Sequence, residues 1–327
     1  MNRLYPLTFK PIFKDKIWGG QRIKTVLGKD FSPLPNCGEA WLISGVEGEN
    51  TVVSNGFLAD NELNELVEIY MDDLVGESVF ERFGEQFPLL FKLIDSSDYL
   101  SIQVHPGDEL AAERHQGFGK NEMWYVIDTE KDAELICGFK KNLTRQQFID
   151  HLRSKTLREI LNVEMVSAGD VFHIPAGRVH ALGPGILLAE IQQTSDITYR
   201  IWDWDRVDPR GVSRALHTAE ALDAIDFNVH EHYRTGYVKK QDETVQLVAC
   251  PYFTTNLLEL TRLMHADLEE RDSFTVYLSV SGRADLFHRD GRLTLSGGDA
   301  VLIPAEIPDC TIVPAPFTSL LEIYVEP

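Results

Sequence analysis

The sequence predicts a mainly β protein with two small barrels and with helical insertions in the N-terminal one. Three observations lead to this fold class: most of the chain reads as short strands, two stretches have helical periodicity, and one turn-and-strand motif occurs twice. With 327 residues, the chain is long enough for two domains of the usual size, about 100–200 residues each. We expect one domain over residues 1–235 and a second over residues 236–327.

The strands are predicted from apolar or alternating runs that are bounded by Gly, Pro, Asp or Ser. Those runs are LLFKLI (89–94), YLSIQVH (99–105), MWYVID (123–128), AELICG (133–138), DVFHIP (170–175) and ILLAEIQQ (186–193). Because such short runs follow one another along most of the chain, they indicate a mainly β fold.

The helical insertions are predicted at about 60–75 and 142–162. In the first stretch, apolar residues recur at spacings of three and four and so share one helical face; they are Leu63, Leu66, Val67, Tyr70, Met71 and Leu74. The second stretch begins with Thr144 and Gln147, which have the spacing of a capping box. Both insertions fall within the N-terminal domain.

The repeated motif defines the two barrels. The segment SAGDVFHIPA (167–176) resembles SGGDAVLIPA (296–305), and upstream of them AEL (133–135) resembles ADL (284–286). The two segments lie further apart in the first copy, and the excess nearly equals the helical stretch at 142–162. Both copies predict a tight turn at the Gly-Asp pair, followed by a strand that ends at the proline. The repeat suggests two cupin-type barrels, which are double-layer jelly rolls.

The charge balance is strongly acidic. The chain has 31 Lys and Arg residues against 51 Asp and Glu residues, a formal net charge of −20. This disfavours a general nucleic-acid or anionic-membrane surface, because both need a dominant basic field. A small anionic substrate would need a local cluster of cations that overrides the global field.

The cysteines suit a reducing compartment. They are far apart and form no CxxC pair, so we expect neither a disulfide scaffold nor a thiolate zinc site; they are Cys37, Cys137, Cys250 and Cys310. The N-terminal segment lacks the apolar core of a signal peptide, and no apolar run approaches the roughly 20 residues that span a bilayer. We therefore expect a soluble, cytoplasmic protein without nucleic-acid or membrane partners.

Four residues on adjacent predicted strands form a candidate metal site. Gln103 and His105 are two apart on one strand and so project from the same face. Glu122 opens the next strong strand, and His180 follows the first copy of the repeated motif. Neutral imidazoles, a carboxylate and an amide oxygen can together bind a borderline divalent ion such as Zn²⁺. Each residue alone would be interpreted as structural or solvated, whereas their convergence inside a barrel indicates a metal site.

The second copy of the repeat is an internal control for this site. At the offsets set by the repeated segments, Glu122 corresponds to Ser273 and His180 to Asp309. The second copy keeps the turn and strand residues and lacks the ligand set. We therefore expect a degenerate C-terminal barrel without metal ligands, and one metal ion per chain in the N-terminal barrel.

Longer strings carry a family resemblance. They are SIQVHP (101–106), GKNEMWY (119–125), PAGRVHA (175–181) and YRIWDW (199–204), with IWGG (17–20) and GEAW (38–41) as further matches. In these strings, over almost the whole chain, the sequence resembles the type I phosphomannose isomerase family in its shorter bacterial form. The resemblance implies a zinc enzyme that interconverts mannose 6-phosphate and fructose 6-phosphate. A small hexose phosphate is then the expected partner, and the oligomeric state stays open.

The resemblance also assigns residues. It implies that Arg200 is the active-site arginine. We expect Ser101, Lys120 and Arg200 to contact the substrate. It matches four positions with the zinc ligands of the family, which are Gln103, His105, Glu122 and His180.

Aldose–ketose isomerisation moves a proton between C1 and C2 through a cis-enediol, and a divalent metal can stabilise the charge that develops. Glu190 is one candidate base, since it faces inwards if ILLAEIQQ is a barrel strand. Lys120 can polarise an oxygen or hold the substrate, the alternative being a solvated loop lysine. Arg200 stands between aromatic residues, where a stacked structural role is the alternative. The nearest cations for the phosphate are Lys120, Arg200, Arg206, Arg210 and Arg214.

Two other functional classes stay open. Another metal-dependent cupin enzyme, such as an iron dioxygenase, would use two histidines and one carboxylate, a set that the same residues could supply. Gln103 as a fourth ligand distinguishes the isomerase from that enzyme. A non-catalytic sugar-binding or regulatory cupin would bind its ligand without isomerase turnover.

Overall fold

The computed structural model describes residues 3–207, 210–289 and 291–327. Strands make up 40% and helices 16%, so the mainly β class that the sequence predicts is confirmed. None of the helices in these ranges combines the length and the apolar character that a membrane span requires.

The N-terminal strands are β1 (Phe9–Lys10), β2 (Ile12–Lys14), β3 (Glu39–Ile43), β4 (Gly45–Val46), β5 (Glu49–Asn50), β6 (Val52–Val53), β7 (Leu89–Ser96), β8 (Ile102–Val104), β9 (Glu122–Thr129), β10 (Glu134–Phe139), β11 (Leu161–Met165), β12 (Val171–Ile174), β13 (His180–Leu182), β14 (Ile186–Gln193) and β15 (Tyr199–Trp202). The C-terminal strands are β16 (Thr244–Ala249), β17 (Thr254–Leu260), β18 (Met264–Asp267), β19 (Thr275–His288), β20 (Gly291–Ser296), β21 (Ala300–Ile303) and β22 (Asp309–Tyr324). The helices are α1 (Arg22–Thr25), α2 (Leu63–Val75), α3 (Glu77–Phe83), α4 (Asp108–His115), α5 (Arg145–Arg153), α6 (Leu157–Ile160) and α7 (Thr218–Ala224).

Helices occupy the two stretches with helical periodicity. Helix α2 lies within 60–75 and is kinked at Met71, whose φ is 47°. Helices α5 and α6 lie within 142–162. The capping box predicted for α5 is present, because Gln147 N donates to Thr144 Oγ1 at 3.2 Å and Thr144 N donates to Gln147 Oε1 at 2.9 Å. Local sequence signals thus locate α2, α5 and α6, whereas α1, α3, α4 and α7 lie outside the two predicted stretches.

Two antiparallel sheets face each other in the N-terminal region. One has the strand order β11-β10-β13-β8-β15, and the other has the order β12-β9-β14-β7-β3-β2. Leu135 and Leu182 of the first sheet share a hydrophobic cluster with Trp124 and Leu188 of the second. Within the described residues, strand pairing closes neither sheet on itself, so the two closed barrels expected from the sequence are not confirmed. Packed side chains, rather than a continuous hydrogen-bond ladder, join the layers.

The C-terminal region forms a seven-stranded sheet that includes the long strands β19 and β22. Strand β19 changes partner along its length, since residues 275–278 pair with β21 and residues 283–288 pair with β20. Gly282 lies where β19 changes its partner strand. Its φ is 76°, and a Cβ atom on it would lie 2.2 Å from the Phe317 carbonyl oxygen. Glycine therefore permits the bend that lets one strand serve both parts of the sheet.

The repeated motif forms the same turn in both copies, at 167–170 and 296–299. In each, the N–H of the serine donates to the carboxylate of the aspartate at 2.8 Å. The N–H of the aspartate donates back to the serine carbonyl, at 3.1 Å in the first copy and 2.9 Å in the second. The third residue is glycine in both, with φ of 92° and 82°, a backbone region that glycine adopts at little cost.

The C-terminal sheet covers the outer face of the six-stranded sheet. Strand β14 is buried along its whole length, because its outward residues, such as Ile191, share a cluster with Val276 and Leu321. The chain is also tied together at its N-terminus, where Leu7 and Leu302 exchange backbone hydrogen bonds of 2.8 and 2.9 Å. This double burial explains the apolar run Ile186–Ala189 with which β14 begins.

Replacing Phe274 by alanine is expected to lower the free energy of unfolding by about 3–5 kcal/mol. Phe274 is fully buried, and its ring centroid lies 4.6 Å from that of Phe87 at the boundary between the two regions. Denaturant titration of both proteins measures the effect. Phe317→Ala is the control, since that ring is 37% exposed and a surface change should stay within about 0.5 kcal/mol. Equal losses in the two variants would contradict the packing described.

Candidate metal centre and its cavity

Three of the predicted site residues lie side by side on the five-stranded sheet. Strand pairing places His180 of β13 opposite Gln103 of β8, and Gln103 opposite Arg200 of β15. Residues directly opposite each other in antiparallel strands project from the same face. The register therefore aligns an imidazole, an amide and a guanidinium in one row.

A second row lies on the facing six-stranded sheet. Lys92 of β7, Glu190 of β14 and Trp124 of β9 lie opposite one another. Glu122 stands two residues before Trp124 on β9 and so projects from the same face. The predicted ligands meet in the space between the two rows.

His105, Glu122 and His180 form a compact, buried group. Nε2 of His105 lies 3.5 Å from Oε2 of Glu122, and Nε2 of His180 lies 3.4 Å from Oε1. Ligand atoms of all three residues lie within 4.8 Å of one another. Across the described part of the chain, this is the one such group of His, Cys, Asp or Glu side chains that could hold a metal ion.

The hydrogen bonds of the two imidazoles prepare them for metal binding. Nδ1 of His105 lies 2.9 Å from the Ile197 carbonyl oxygen, and Nδ1 of His180 lies 2.8 Å from that of Arg178. Since a carbonyl oxygen only accepts, Nδ1 carries the proton and leaves the Nε2 lone pair available. Burial lowers the pKa of both histidines, that of His180 to about 4, so both are neutral at neutral pH.

The Glu122 carboxylate is the least satisfied group of the site. Both of its oxygens are buried without a well-formed hydrogen bond, and so is Nε2 of His105. Burial and the charge of Glu190 raise the pKa of Glu122, while Lys120 opposes this with Nζ at 3.0 Å from Oε2. A buried carboxylate that lacks full pairing is costly, and a divalent cation would relieve that cost. The donor set therefore fits a metal ion.

Gln103 and Ser101 border this group. Nε2 of Gln103 lies 3.1 Å from Nε2 of His180, and Ser101 Oγ donates to Gln103 Oε1 at 3.4 Å. A half-turn of the amide exchanges its oxygen and nitrogen. The side chain would then offer its oxygen to a cation and an N–H to Ser101. Both residues also line the cavity beside the group.

The two candidate proton-transfer residues, Glu190 and Lys120, are both buried, and each lies beside groups of opposite charge. Nζ of Lys92 lies 3.0 Å from Glu190 Oε1, and Trp124 Nε1 donates to Oε2 at 2.9 Å. Although burial raises the pKa of Glu190, Lys92 and Lys120 lower it more, so it stays ionised. Burial lowers the pKa of Lys120, but Glu122 and Glu190 raise it above its usual value. At neutral pH, Glu190 is thus a carboxylate and Lys120 an ammonium group.

A cavity of about 270 Å³ opens beside these residues. Six cationic side chains line it, against three carboxylates, so the site is locally positive in a chain of net charge −20. The cations are Lys14, Lys16, Lys92, Lys120, Arg200 and Arg214, and the carboxylates are Glu39, Glu190 and Asp196. This is the local cluster that the sequence requires for a small anionic substrate.

The arginines that the sequence offers for phosphate binding have different positions. Arg200 lines the cavity, donates from Nη1 to the Ala215 carbonyl at 2.7 Å, and keeps a buried Nε without a partner. Arg214 also lines the cavity and donates from Nε to Asp203 at 2.7 Å. Arg206 binds Asp203 as well, at 2.5 Å, and donates to a backbone carbonyl outside the cavity lining at 2.6 Å. The fourth, Arg210, is exposed and is not part of the cavity lining. Arg200 and Arg214 are therefore the better placed of the four arginines.

Sequence reasoning missed several lining residues. Lys92 is the lone charged residue of the apolar run LLFKLI, a signal that could have singled it out. Glu39 and Trp41 belong to the string GEAW, and Trp41 Nε1 donates to Glu39 Oε2 at 2.8 Å. Nζ of Lys14 lies 3.6 Å from the centroid of the Trp41 ring. These residues form the wall that β2, β3 and β7 contribute.

The corresponding positions of the C-terminal copy have other roles. Ser273 is buried, accepts a hydrogen bond from Val325 N at 3.1 Å and donates to the Phe274 carbonyl at 2.9 Å. Asp309 is exposed at the start of β22. Both side chains therefore serve the backbone or solvent rather than a common site.

Comparisons with known proteins give a consistent set of relatives. The family model for the catalytic domain of type I phosphomannose isomerase matches residues 7–143, and that for the cupin domain of mannose-6-phosphate isomerase matches residues 243–314. The chain is 35% identical over 305 residues to mannose-6-phosphate isomerase ManA of Bacillus subtilis. That match covers 91% of this chain and 93% of the relative. It is 32% identical over 303 residues to the mannose-6-phosphate isomerase of Streptococcus mutans, with 92% and 93% covered. A crystal structure of mannose 6-phosphate isomerase from Bacillus subtilis has a TM-score of 0.88 at 31% identity, covering 98% of this chain and all of that one.

Replacing His105 or His180 by alanine is expected to abolish metal binding, because each removes one of two imidazoles that flank Glu122. His173→Ala is the matched control: His173 lies on β12 between Phe172 and Ile174, which face the inter-sheet cluster, so its own side chain points away from it. Elemental analysis of the purified proteins measures bound metal per chain. Equal metal loss in all three variants would show that the metal is not held specifically by His105 and His180.

Proposed function

The chain belongs to the type I phosphomannose isomerase family, and from this we propose that it interconverts mannose 6-phosphate and fructose 6-phosphate in the cavity between its N-terminal sheets. The observation that carries the proposal is the meeting of a metal-binding group, His105, Glu122 and His180, with a cation-lined cavity. A hexose phosphate needs both features, since one end of it reacts and the other carries the charge.

We propose that the resident metal is a single Zn²⁺ ion, held by Gln103, His105, Glu122 and His180. The support is the donor set, which has neutral imidazoles, one carboxylate and no thiolate, as zinc accepts in catalytic sites. When bound, the ion would supply Lewis-acid stabilisation of the negative charge that develops on the sugar oxygens. The residues around it must then bind the substrate and move the proton.

The lysines and arginines of the cavity are proposed to hold the sugar phosphate. Lys92 and Lys120 are nearly inaccessible, with side chains 6% and 5% exposed. Lys16 and Arg214 lie further out, each with 33% of the side chain exposed. We infer that the phosphate binds towards the outer cations and the reacting carbons towards Lys120, because the ligand group lies beside that lysine.

Proton transfer is proposed to proceed through a cis-enediol with Glu190 as the base. A base must be deprotonated before it acts, and Glu190 is held ionised by its lysine neighbours, whereas Lys120 is protonated. Lys120 can donate to a substrate oxygen and so stabilise the enediolate. Lys92 and Trp124 fix the orientation of the Glu190 carboxylate through their bonds to its two oxygens.

Arg200 is proposed to bind an oxyanion of the substrate. Its Nη1 donates to the Ala215 carbonyl while its buried Nε has no hydrogen-bond partner, so the guanidinium is held at one end and keeps an unused donor. Two parallel N–H groups match a phosphate or an enediolate in a way that an ammonium group cannot.

Removal of the metal is expected to abolish isomerase turnover, and Zn²⁺ or a similar divalent ion is expected to restore it. A coupled assay on mannose 6-phosphate, run before and after chelation with metal content measured in parallel, gives the answer. One metal ion per chain should be found, because the C-terminal copy lacks the ligands. Full turnover by metal-free protein would refute the metal role, and a fully loaded protein without turnover would refute the proposed activity.

Changing Arg200 to lysine is expected to leave folding and metal content unchanged while kcat falls by about 10²–10³, the usual cost of losing one preorganised donor. Thermal melting and steady-state kinetics on the same preparation separate this from a structural role. If Arg200 only stacks among aromatic residues, the variant should instead melt earlier and keep its turnover per folded molecule.

A further inference from the structure

The loop that carries Lys120 is held at three successive backbone amides. Gly119 N donates to Asp108 Oδ1 at 2.9 Å, and Lys120 N donates to the Pro106 carbonyl at 3.0 Å. Asn121 N donates to the side chain of Gln193 at 2.9 Å. The position of Lys120 therefore depends on the groups that accept these bonds.

Asp108 links this loop to the C-terminal region. Its Oδ1 also accepts from Gln193 Nε2 at 3.0 Å, and its Oδ2 accepts from the hydroxyl of Tyr252 at 2.6 Å. Tyr252 lies between β16 and β17, in the region whose own ligand positions are degenerate. Gln193 in turn accepts from Asn121, so both neighbours of Lys120 are connected to the carboxylate that Tyr252 binds.

The tyrosine is itself held in place. The guanidinium of Arg82 lies 5.5 Å from the centroid of the Tyr252 ring, and its Nη1 donates to the Pro251 carbonyl at 2.6 Å. The ring of Phe83, beside Arg82, lies 6.1 Å from that of Phe118 in the Lys120 loop. The loop thus rests on helix α3 as well as on the tyrosine.

Gly119 of the Lys120 loop lies very close to the backbone and the carboxylate of Asp108. A Cβ atom on Gly119 would lie 2.6 Å from the Asp108 backbone nitrogen and 2.8 Å from its Oδ1. Such distances are closer than any side chain tolerates, so the glycine permits the contact. This close approach allows the 2.9 Å hydrogen bond from Gly119 N to Asp108, which couples the position of the carboxylate to the residue before Lys120.

We propose that Tyr252 is a positioning residue for Lys120, acting through Asp108 and the Gly119 amide. By this route the C-terminal region contributes to the active site, although none of its described residues belongs to the group His105, Glu122 and His180. The inference rests on the proposed role of Lys120 in the isomerisation, and it adds a reason why the catalytic region needs the C-terminal one.

The test compares Tyr252→Phe with Tyr237→Phe in the metal-loaded protein. Tyr237 is a matched control, since its hydroxyl also donates from the C-terminal region to the N-terminal one, to the Gly169 carbonyl at 2.6 Å, away from Lys120. In Tyr252→Phe we expect hydrogen exchange of the Gly119 amide to accelerate by about tenfold and kcat to fall by about tenfold with little change in KM. Tyr237→Phe should change neither quantity.

A double-mutant cycle with Lys120→Ala completes the test. If Tyr252 acts through Lys120, Tyr252→Phe should cause no further loss of kcat in the Lys120→Ala background. Unchanged exchange at Gly119, an equal loss of kcat in the two tyrosine variants, or a full additional loss in the double mutant would each overturn the proposal. Failure of the proposed function has a different signature, because neither the metal-loaded unmodified protein nor any variant would then isomerise mannose 6-phosphate, while the exchange difference at Gly119 persisted.

Discussion

The architecture depends on a carboxylate placed where water cannot reach it. Glu122 lies between two neutral imidazoles, with both oxygens buried and incompletely paired. An ionised group in that position is tolerated only if positive charge is brought to it. Lys120 supplies part of that charge from the protein, and the donor geometry leaves room for a cation to supply the rest. Most other features of the N-terminal region can be understood as keeping these groups in register.

That register comes from strand pairing rather than from local geometry. One sheet brings Arg200, Gln103 and His180 into line, and the facing sheet does the same for Lys92 and Glu190. A slip of one residue in any of these strands would turn its functional side chain out of the cavity. The six-stranded sheet resists such a slip because both of its faces are packed. The five-stranded sheet covers one face and the C-terminal sheet covers the other.

The sequence was informative where the signal is local and periodic. Alternation along a strand was enough to put Gln103 and His105 on one face, and the capping spacing at Thr144 correctly marks the start of a helix. Lys92 escaped notice because its partner, Glu190, lies far away in the chain and only the pairing of β7 with β14 joins them. The two barrels expected from the sequence are not confirmed, for a related reason. Two repeated strand units indicate what kind of sheet forms, but which edges meet is decided by long-range packing that no short motif encodes.

The backbone bonds between Leu7 and Leu302 have a consequence for how the molecule is made. A chain that leaves the ribosome from its N-terminus exposes Leu7 long before its partner has been synthesised. Leu7 can form these hydrogen bonds only after Leu302 has been synthesised. The outer face of the six-stranded sheet is likewise covered only once the C-terminal sheet has formed. Such distant contacts place a large entropic cost ahead of the stabilising packing, which slows folding. The N-terminal region is thus covered last, by residues of the C-terminal sheet, so a polypeptide that ended before that sheet would leave apolar surface uncovered.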